Sequence, residues 1–133
     1  MSLVLDADVL IGALDGADPH HSEARELFAS WRDKDARRLI SVVNLSEVLV
    51  APAADAEQLR LAREAIAALG VEIHKPGTGI GVEAARLRRR HPISLADAYC
   101  LATARHASGS VVSFDHKVLR AAADEGMTPA ALL

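Results

Sequence analysis

The acidic residues of this sequence recur where strands are predicted to end, beginning with Asp6 and Asp8. Both follow Leu3-Val4-Leu5, an apolar run that predicts a strand buried on both faces. Carboxylates at the end of a buried strand cost free energy unless a partner compensates their charge. In an open α/β sheet, ligands bind at this edge. A structural interpretation is also open, in which Asp6 ends the strand and Asp8 is the N-cap of a short helix over 9–14.

Three further acids take comparable places along the chain. Glu47 follows a second predicted strand, Asp115 follows a fourth, and Asp97 lies in the first turn of the helix leading into that fourth strand. Because the carboxyl ends of parallel strands meet at one edge of a sheet, we expect these acids to gather there with Asp6 and Asp8.

Helix capping is an alternative for each of these three acids taken singly. Asn44-x-x-Glu47 and Ser94-x-x-Asp97 have the spacing of capping boxes, and Asp115 has the residue type of an N-cap. Capping explains any one acid well. It explains less well why all of them are expected at the same edge.

A cluster of carboxylates without neighbouring Lys or Arg repels itself, and it stays ionised only if a cation occupies it. Oxygen ligands without Cys or clustered His favour Mg²⁺ or Mn²⁺ over Zn²⁺. Such an ion polarises a phosphate oxygen and activates water. The acids therefore predict hydrolysis of a phosphoester.

Strands that alternate with helices must position these acids. This alternation predicts a single α/β domain over 1–133, a three-layer α/β/α sandwich with a central parallel sheet. The predicted strands cover 3–5, 38–43, 71–74 and 110–114, with a weak edge strand over 127–133. The predicted helices begin near 9, 19, 44, 55, 82, 94 and 115. Gly77, Gly79 and Gly81 lack the spacing of a nucleotide-binding loop and are interpreted as a connection.

Composition narrows the function classes. Half of the 133 residues are hydrophobic, and no apolar run approaches the length of a spanning helix, which argues against a membrane protein. A single cysteine, Cys100, excludes an internal disulfide framework and is consistent with a reducing cytoplasm. The net charge is −3, so affinity for nucleic acid would need a local basic patch or bound cations.

Four motifs together resemble those of PIN domains, and most closely the ribonuclease toxins of VapBC-type toxin–antitoxin pairs. They are Leu-Asp-Ala-Asp-Val-Leu-Ile at the N-terminus, Asn-Leu-Ser-Glu-Val, Ser-Leu-Ala-Asp-Ala and Ser-Phe-Asp-His-Lys-Val-Leu. They occur in the family's order and spacing from residue 3 to about residue 123. The family's acidic tetrad falls on Asp6, Glu47, Asp97 and Asp115.

The resemblance implies an endoribonuclease that uses Mg²⁺, with Mn²⁺ able to substitute, and that is neutralised by a cognate VapB-type antitoxin. It also implies a homodimer. The tetrad would supply both the catalytic groups and the metal ligands. Ser113 matches a small hydroxyl residue before the last acid, and Asp8 stands where the family usually has Ser, Thr or Asn. We expect Ser113 and Asp8 to lie next to the metal ligands rather than to be among them.

The densest basic run lies just before the Asp97 motif. Arg86, Arg89 and Arg90 share one helical face that could bind RNA phosphates. The alternative is a solvated face in which Glu83 pairs with Arg86 or Arg90. His20 and His21 begin a surface helix and lack the partners that a metal site needs.

Two other functions remain open. Asp6-x-Asp8 after the first strand matches the nucleophile and acid of haloacid-dehalogenase-like phosphatases, although only Lys117 is available for their late lysine, on the wrong side of Asp115. The second is a non-catalytic module, a PIN fold that binds protein or RNA. One assay separates the three functions. Turnover of an aryl phosphate indicates the phosphatase, cleavage of RNA in Mg²⁺ indicates the ribonuclease, and neither activity indicates the binding module.

Overall fold

The computed structural model describes residues 1–127, and its centre is a sheet of four parallel strands. The strands are β1 (Ser2–Leu5), β2 (Arg37–Ser41), β3 (Val71–His74) and β4 (Ser110–Val112), in the spatial order β3-β2-β1-β4. The predicted parallel sheet is confirmed. Of the predicted edge strand over 127–133, all but the first residue lies outside the described residues.

Within residues 1–127, six α-helices and one short 3-10 turn connect the strands, and a seventh helix follows the last strand. They are α1 (Ala7–Leu14), α2 (His21–Trp31), α3 (Val42–Leu49), the 3-10 turn Pro52–Ala54, α4 (Ala56–Ala68), α5 (Thr78–Arg90), α6 (Leu95–His106) and α7 (His116–Asp124). No helix within residues 1–127 is long and apolar enough to cross a membrane.

The two faces of the sheet carry separate apolar clusters. Along β1, Leu3 and Leu5 join a cluster with residues of α1 to α4, whereas Val4 points to the other face and joins residues of α5, α6 and α7. This alternation follows from the two-residue period of a strand. Both faces of the sheet are therefore covered by helices, which confirms the three-layer α/β/α sandwich.

The junction between β2 and α3 differs from the prediction. The strand ends at Ser41, whose hydroxyl accepts the N–H of Val43 (3.2 Å), so α3 begins at Val42 and not at Asn44. Two consecutive β-branched residues favour a strand by local preference, but the serine cap overrides it. Asn44 is consequently buried inside the helix, and the predicted Asn44–Glu47 capping box is wrong.

Two other helices begin at different residues from those predicted. Helix α5 starts at Thr78, four residues before the expected start, so Gly79 and Gly81 are helical. A Cβ at Gly81 would lie 3.3 Å from the Tyr99 hydroxyl, so glycine permits the close packing of α5 on α6. Helix α2 starts at His21 rather than at Pro19.

Candidate active site

Asp6 occupies the turn between β1 and α1, and it is only 4% exposed. Its backbone N–H donates to Val112 O (2.9 Å), which extends the pairing of β1 with β4 by one residue. One carboxylate oxygen accepts the Ala7 N–H (2.8 Å), and the other accepts the Ser113 hydroxyl (2.7 Å). Asp6 is therefore the N-cap of α1, and the prediction that Asp8 caps this helix is wrong.

Asp8 lies in the first turn of α1 and extends toward the segment after β4. Its Oδ2 accepts the backbone N–H of Phe114 (3.0 Å) and lies 3.5 Å from the Ser113 hydroxyl. Its Oδ1 is buried and has no hydrogen-bond partner within residues 1–127. A buried carboxylate oxygen in this state is costly, and a cation or an ordered water would satisfy it.

Ser113 joins three of the acids. Its buried hydroxyl donates to Asp6, lies near Asp8 and accepts the backbone N–H of Asp115 (3.0 Å). Because the hydroxyl has a single proton, its short contact with Asp6 is the bond that it donates. Ser113 thus fixes the orientation of Asp6 relative to the start of α7, and its expected place beside the acids is consistent with these contacts.

Asp97 and Asp115 each cap a helix with one carboxylate oxygen. Asp97 forms the predicted capping box with Ser94, each backbone N–H bonding the other side chain at 3.0 Å. Asp115 Oδ1 accepts the Lys117 N–H (2.8 Å) at the start of α7. The second oxygen of each carboxylate receives no hydrogen bond within residues 1–127. Capping and ligand binding are therefore compatible for these two acids.

Glu47 reaches the site from α3 and caps no helix. Asn44, one helical turn earlier, donates through Nδ2 to the Ala96 carbonyl of α6 (3.0 Å) and to Glu47 Oε1 (3.4 Å). Asn44 therefore ties Glu47 to the turn that carries Asp97. The predicted capping box gives Asn44 no such role, although the i, i+3 spacing of Asn44 and Glu47 places both on one helical face.

The five acids of this site, here called the acidic edge, influence one another's charge. They are Asp6, Asp8, Glu47, Asp97 and Asp115. Burial, together with the negative charges of Asp8 and Asp97, raises the pKa of Asp6 to about 7. Burial is also the main cause of the raised pKa of Asp8 and of Glu47, to which Asp115 and Asp97 respectively add their repulsion. None of the five forms an ion pair with Lys, Arg or His within residues 1–127.

The donor set suits a hard divalent cation. The acidic edge offers carboxylate oxygens, the ligand class that Mg²⁺ and Mn²⁺ prefer, and Asp8 Oδ1 is a buried acceptor without a partner within residues 1–127. Within the described chain, no three acidic, His or Cys side chains already surround a point that could hold a metal ion. A bound cation would compensate the mutual repulsion of these carboxylates.

A family comparison agrees with this geometry. The model of the PIN domain matches residues 3–124, nearly the whole chain. The chain belongs to the PIN-domain family. The sequence motifs that resemble this family all lie inside the matched range, and the acidic edge of this PIN domain includes the four positions at which the resemblance places the tetrad. No curated protein sequence matches the chain.

Solved structures share the fold of this PIN domain. VapC20 of Mycobacterium tuberculosis, a toxin that cleaves the sarcin–ricin loop, matches with a TM-score of 0.75, 16% identity and 98% of each chain covered. A toxin–antitoxin complex from Klebsiella pneumoniae matches with a TM-score of 0.71, 24% identity and 90% of each chain. VapBC2 of Rickettsia felis, bound to a DNA fragment from its promoter, matches with a TM-score of 0.68 and 18% identity over 90% of this chain and 92% of the other.

The basic face predicted on α5 is partly occupied by ion pairs. Arg90 contacts Glu125 (3.0 Å) and Glu83 (3.8 Å), and Arg86 lies 3.9 Å from Glu83. The alternative in which Glu83 pairs with Arg86 or Arg90 therefore describes two of the three arginines of this PIN domain. Arg89 makes no ion pair within residues 1–127 and stays a candidate for binding RNA phosphates.

Proposed function

We propose that this PIN domain is a Mg²⁺-dependent endoribonuclease that acts as the toxin of a toxin–antitoxin pair. One observation carries the proposal: five carboxylates share the carboxyl edge of the sheet, and none of them forms an ion pair with Lys, Arg or His within residues 1–127. Such an arrangement costs stability by itself and is accounted for when a divalent cation and a phosphodiester occupy the edge.

The acids of the chain have different roles in the proposed reaction. Asp6, held by two hydrogen bonds, is the fixed ligand, whereas Asp97 and Asp115 offer the oxygens that their helices do not use. Glu47, positioned by Asn44, approaches from α3 and is the proposed group that orients the attacking water. When bound, Mg²⁺ supplies Lewis-acid polarisation of a phosphate oxygen and lowers the pKa of a water molecule, and Mn²⁺ should replace it.

The direct test is cleavage of RNA by the purified chain in Mg²⁺, with chelator added as a control. Asp33→Asn, a change at an exposed acid between α2 and β2, is the matched control for Asp97→Asn. We expect cleavage by the wild type and by the control variant, and none by Asp97→Asn or in chelator. Turnover of an aryl phosphate instead of RNA would favour the phosphatase, and turnover of neither would favour a binding module.

The toxin assignment rests on relatives that are VapC toxins or toxin–antitoxin complexes. A groove of about 580 Å³ lies between α1 and the segment from α3 to α4, and Glu47 lines it beside Ile11, Leu14 and Val48. We assign this groove to an antitoxin segment with apolar side chains, because the groove runs up to the acidic edge. A Lys or Arg of that segment would then reach the acids and compensate them as the metal does.

Growth tests separate the toxin from an ordinary nuclease. Induced expression of the chain should arrest a bacterial host, whereas Asp97→Asn should not, and co-expression of a cognate VapB-type antitoxin should restore growth. Inhibition in vitro should weaken as Mg²⁺ is raised, because both cations compete for the same acids. Inhibition that is indifferent to Mg²⁺ would contradict this role of the antitoxin. Light scattering of the purified chain tests the proposed homodimer.

A further inference from the structure

Two stacked aromatic rings lie beside the acidic edge. The rings of His20 and Phe114 lie with centroids 4.4 Å apart and planes inclined by 17°. Phe114 follows Ser113 and precedes Asp115, and its backbone N–H is the donor that Asp8 accepts. The charge of His20 also reaches Asp8. The stack is therefore continuous with the residues proposed to bind metal.

Phe114 is anchored, whereas the His20 ring is open to solvent. Phe114 is half-buried and packs against the core cluster under α1 to α4. The side chain of His20 is 46% exposed. Because Phe114 covers one side of the imidazole, the exposed part is the remaining face and edge.

The side chain of His20 has no evident structural purpose, in contrast to that of its neighbour. His21 Nδ1 lies 2.8 Å from the Gly12 carbonyl and joins α2 to α1. His20 is the N-cap of α2, but its side chain makes no capping hydrogen bond. Its polar contact within residues 1–127 is with Glu23, at 3.6 Å between two exposed side chains. Such a contact contributes little to stability.

The other large aromatic side chains are placed differently. Phe28 and Trp31 are buried under α2, and Tyr99 packs at the contact of α5 with α6. Among the four Phe, Tyr and Trp residues of the chain, Phe114 is the one that lies between Ser113 and Asp115.

We propose that His20, backed by Phe114, is the binding site for a nucleobase of the RNA next to the phosphodiester that is cut. This inference rests on the proposed ribonuclease function and names a subsite for its substrate. A base stacks on any flat aromatic face, and the covered face of His20 gives the imidazole a fixed orientation. A phosphate fits less well there, because Glu23 and Asp8 place negative charge beside the imidazole.

The test compares three substitutions on a short RNA whose cut site has been mapped by sequencing the ends of the cleaved product. His20→Ala should raise KM roughly tenfold and leave kcat unchanged, since loss of base stacking weakens binding by about that factor. His20→Phe should keep KM near the wild-type value, because it preserves the stack without the charge. His21→Ala is the matched control, and it should lower Tm without changing KM.

Abasic nucleotides locate the contact in the RNA. Removing the base at one position beside the cut should raise KM for the wild type and have no further effect on His20→Ala, because the two changes delete the same interaction. Additive effects at every position, or an unchanged KM in His20→Ala while the wild type cuts RNA, would overturn the inference. A wild type that fails to cut RNA would instead contradict the proposed function.

Discussion

Two groups of five ionisable side chains lie in different parts of this molecule, and they are built in opposite ways. The acidic edge contains carboxylates alone. The second group, here called the ion-pair cluster, joins α5 to the C-terminal ends of α6 and α7. It pairs acidic side chains with basic ones. It consists of Glu83, Arg90, His91, Arg105 and Glu125.

The difference is visible in the pKa values. In the ion-pair cluster, hydrogen bonds from Arg90, His91 and Arg105 lower the pKa of Glu125 to about 2. At the acidic edge, burial and like charge raise the pKa of Asp6 to about 7. Charges that the chain compensates itself stabilise the fold, whereas charges left without partners mark a place where something else must bind.

The largest expected effect comes from removing one charge of the acidic edge. Asp97→Asn should lower RNA cleavage on the order of 10³-fold, because it removes a proposed metal ligand while the asparagine oxygen can still accept the Ser94 N–H. Without metal, its Tm should equal or exceed that of the wild type, since one repelling charge is gone. A clearly lower Tm in chelator would show that Asp97 acts mainly as a cap.

The two groups should respond oppositely to pH. Between pH 3.8 and 7, the folded metal-free protein keeps a proton on Asp6 that the unfolded chain has released. Its stability should therefore fall as pH rises through this window, by about 1.4 kcal/mol per unit at most. In Asp6→Asn this fall should vanish, and added Mg²⁺ should reduce it in the wild type. Denaturant melts at about pH 5 and about pH 7.5 measure the change, and parallel profiles for both proteins would contradict it.

A smaller effect is expected from opening the ion-pair cluster. Because its pKa is depressed, Glu125 stabilises the fold above about pH 4.5, and this contribution is lost as pH falls toward 2. Glu125→Gln should lower Tm at neutral pH by about 3 °C and leave RNA cleavage intact. Glu64→Gln, which breaks an exposed pair with Arg60 on α4, is the control and should leave Tm unchanged. Equal shifts in both variants would mean that the cluster is no more than a surface pair.

The smallest effect concerns the arginines of α5. Arg89→Ala should raise KM for RNA by about two- to threefold and reduce its dependence on salt, as expected for one lost phosphate contact. Arg90→Ala should instead lower Tm and leave KM unchanged, because Arg90 belongs to the ion-pair cluster. If both variants bind RNA like the wild type, this face of α5 has no part in recognition.

The succession of strands and helices along the chain could be predicted because it depends on local patterns, whereas the order of the strands within the sheet was not predicted. Leu3-Val4-Leu5 predicted β1, and Ser94-x-x-Asp97 predicted the cap of α6, both of which the structure confirms. At Val42-Val43 the local pattern was ambiguous, since β-branched residues fit a strand and Ser41 fits a cap. The cap prevailed, and Asn44 moved from a helix end into the interior.

Contacts between residues that are far apart along the chain leave no local pattern in the sequence from which they could be predicted. Asp8 had the residue type of a cap, but its partner is the N–H of Phe114, 106 positions away. The bonds between Glu125 and Arg90 span 35 positions, and the stack of His20 on Phe114 spans most of the chain. Single-sequence reasoning finds which residues lie at an edge, and only the folded structure shows which of them touch.

The bond between Ser113 and Asp6 joins residues 107 positions apart, and it sets when the acids come together during synthesis. A ribosome delivers β1, β2 and β3 first, whereas β4, which pairs with β1, follows all three of them. Until then Asp6 lacks both the Ser113 hydroxyl and the Val112 carbonyl. Contacts of such long range also form slowly. The nascent chain therefore carries its acids unassembled until β4 has emerged, and the complete cluster exists only once β4 has inserted beside β1.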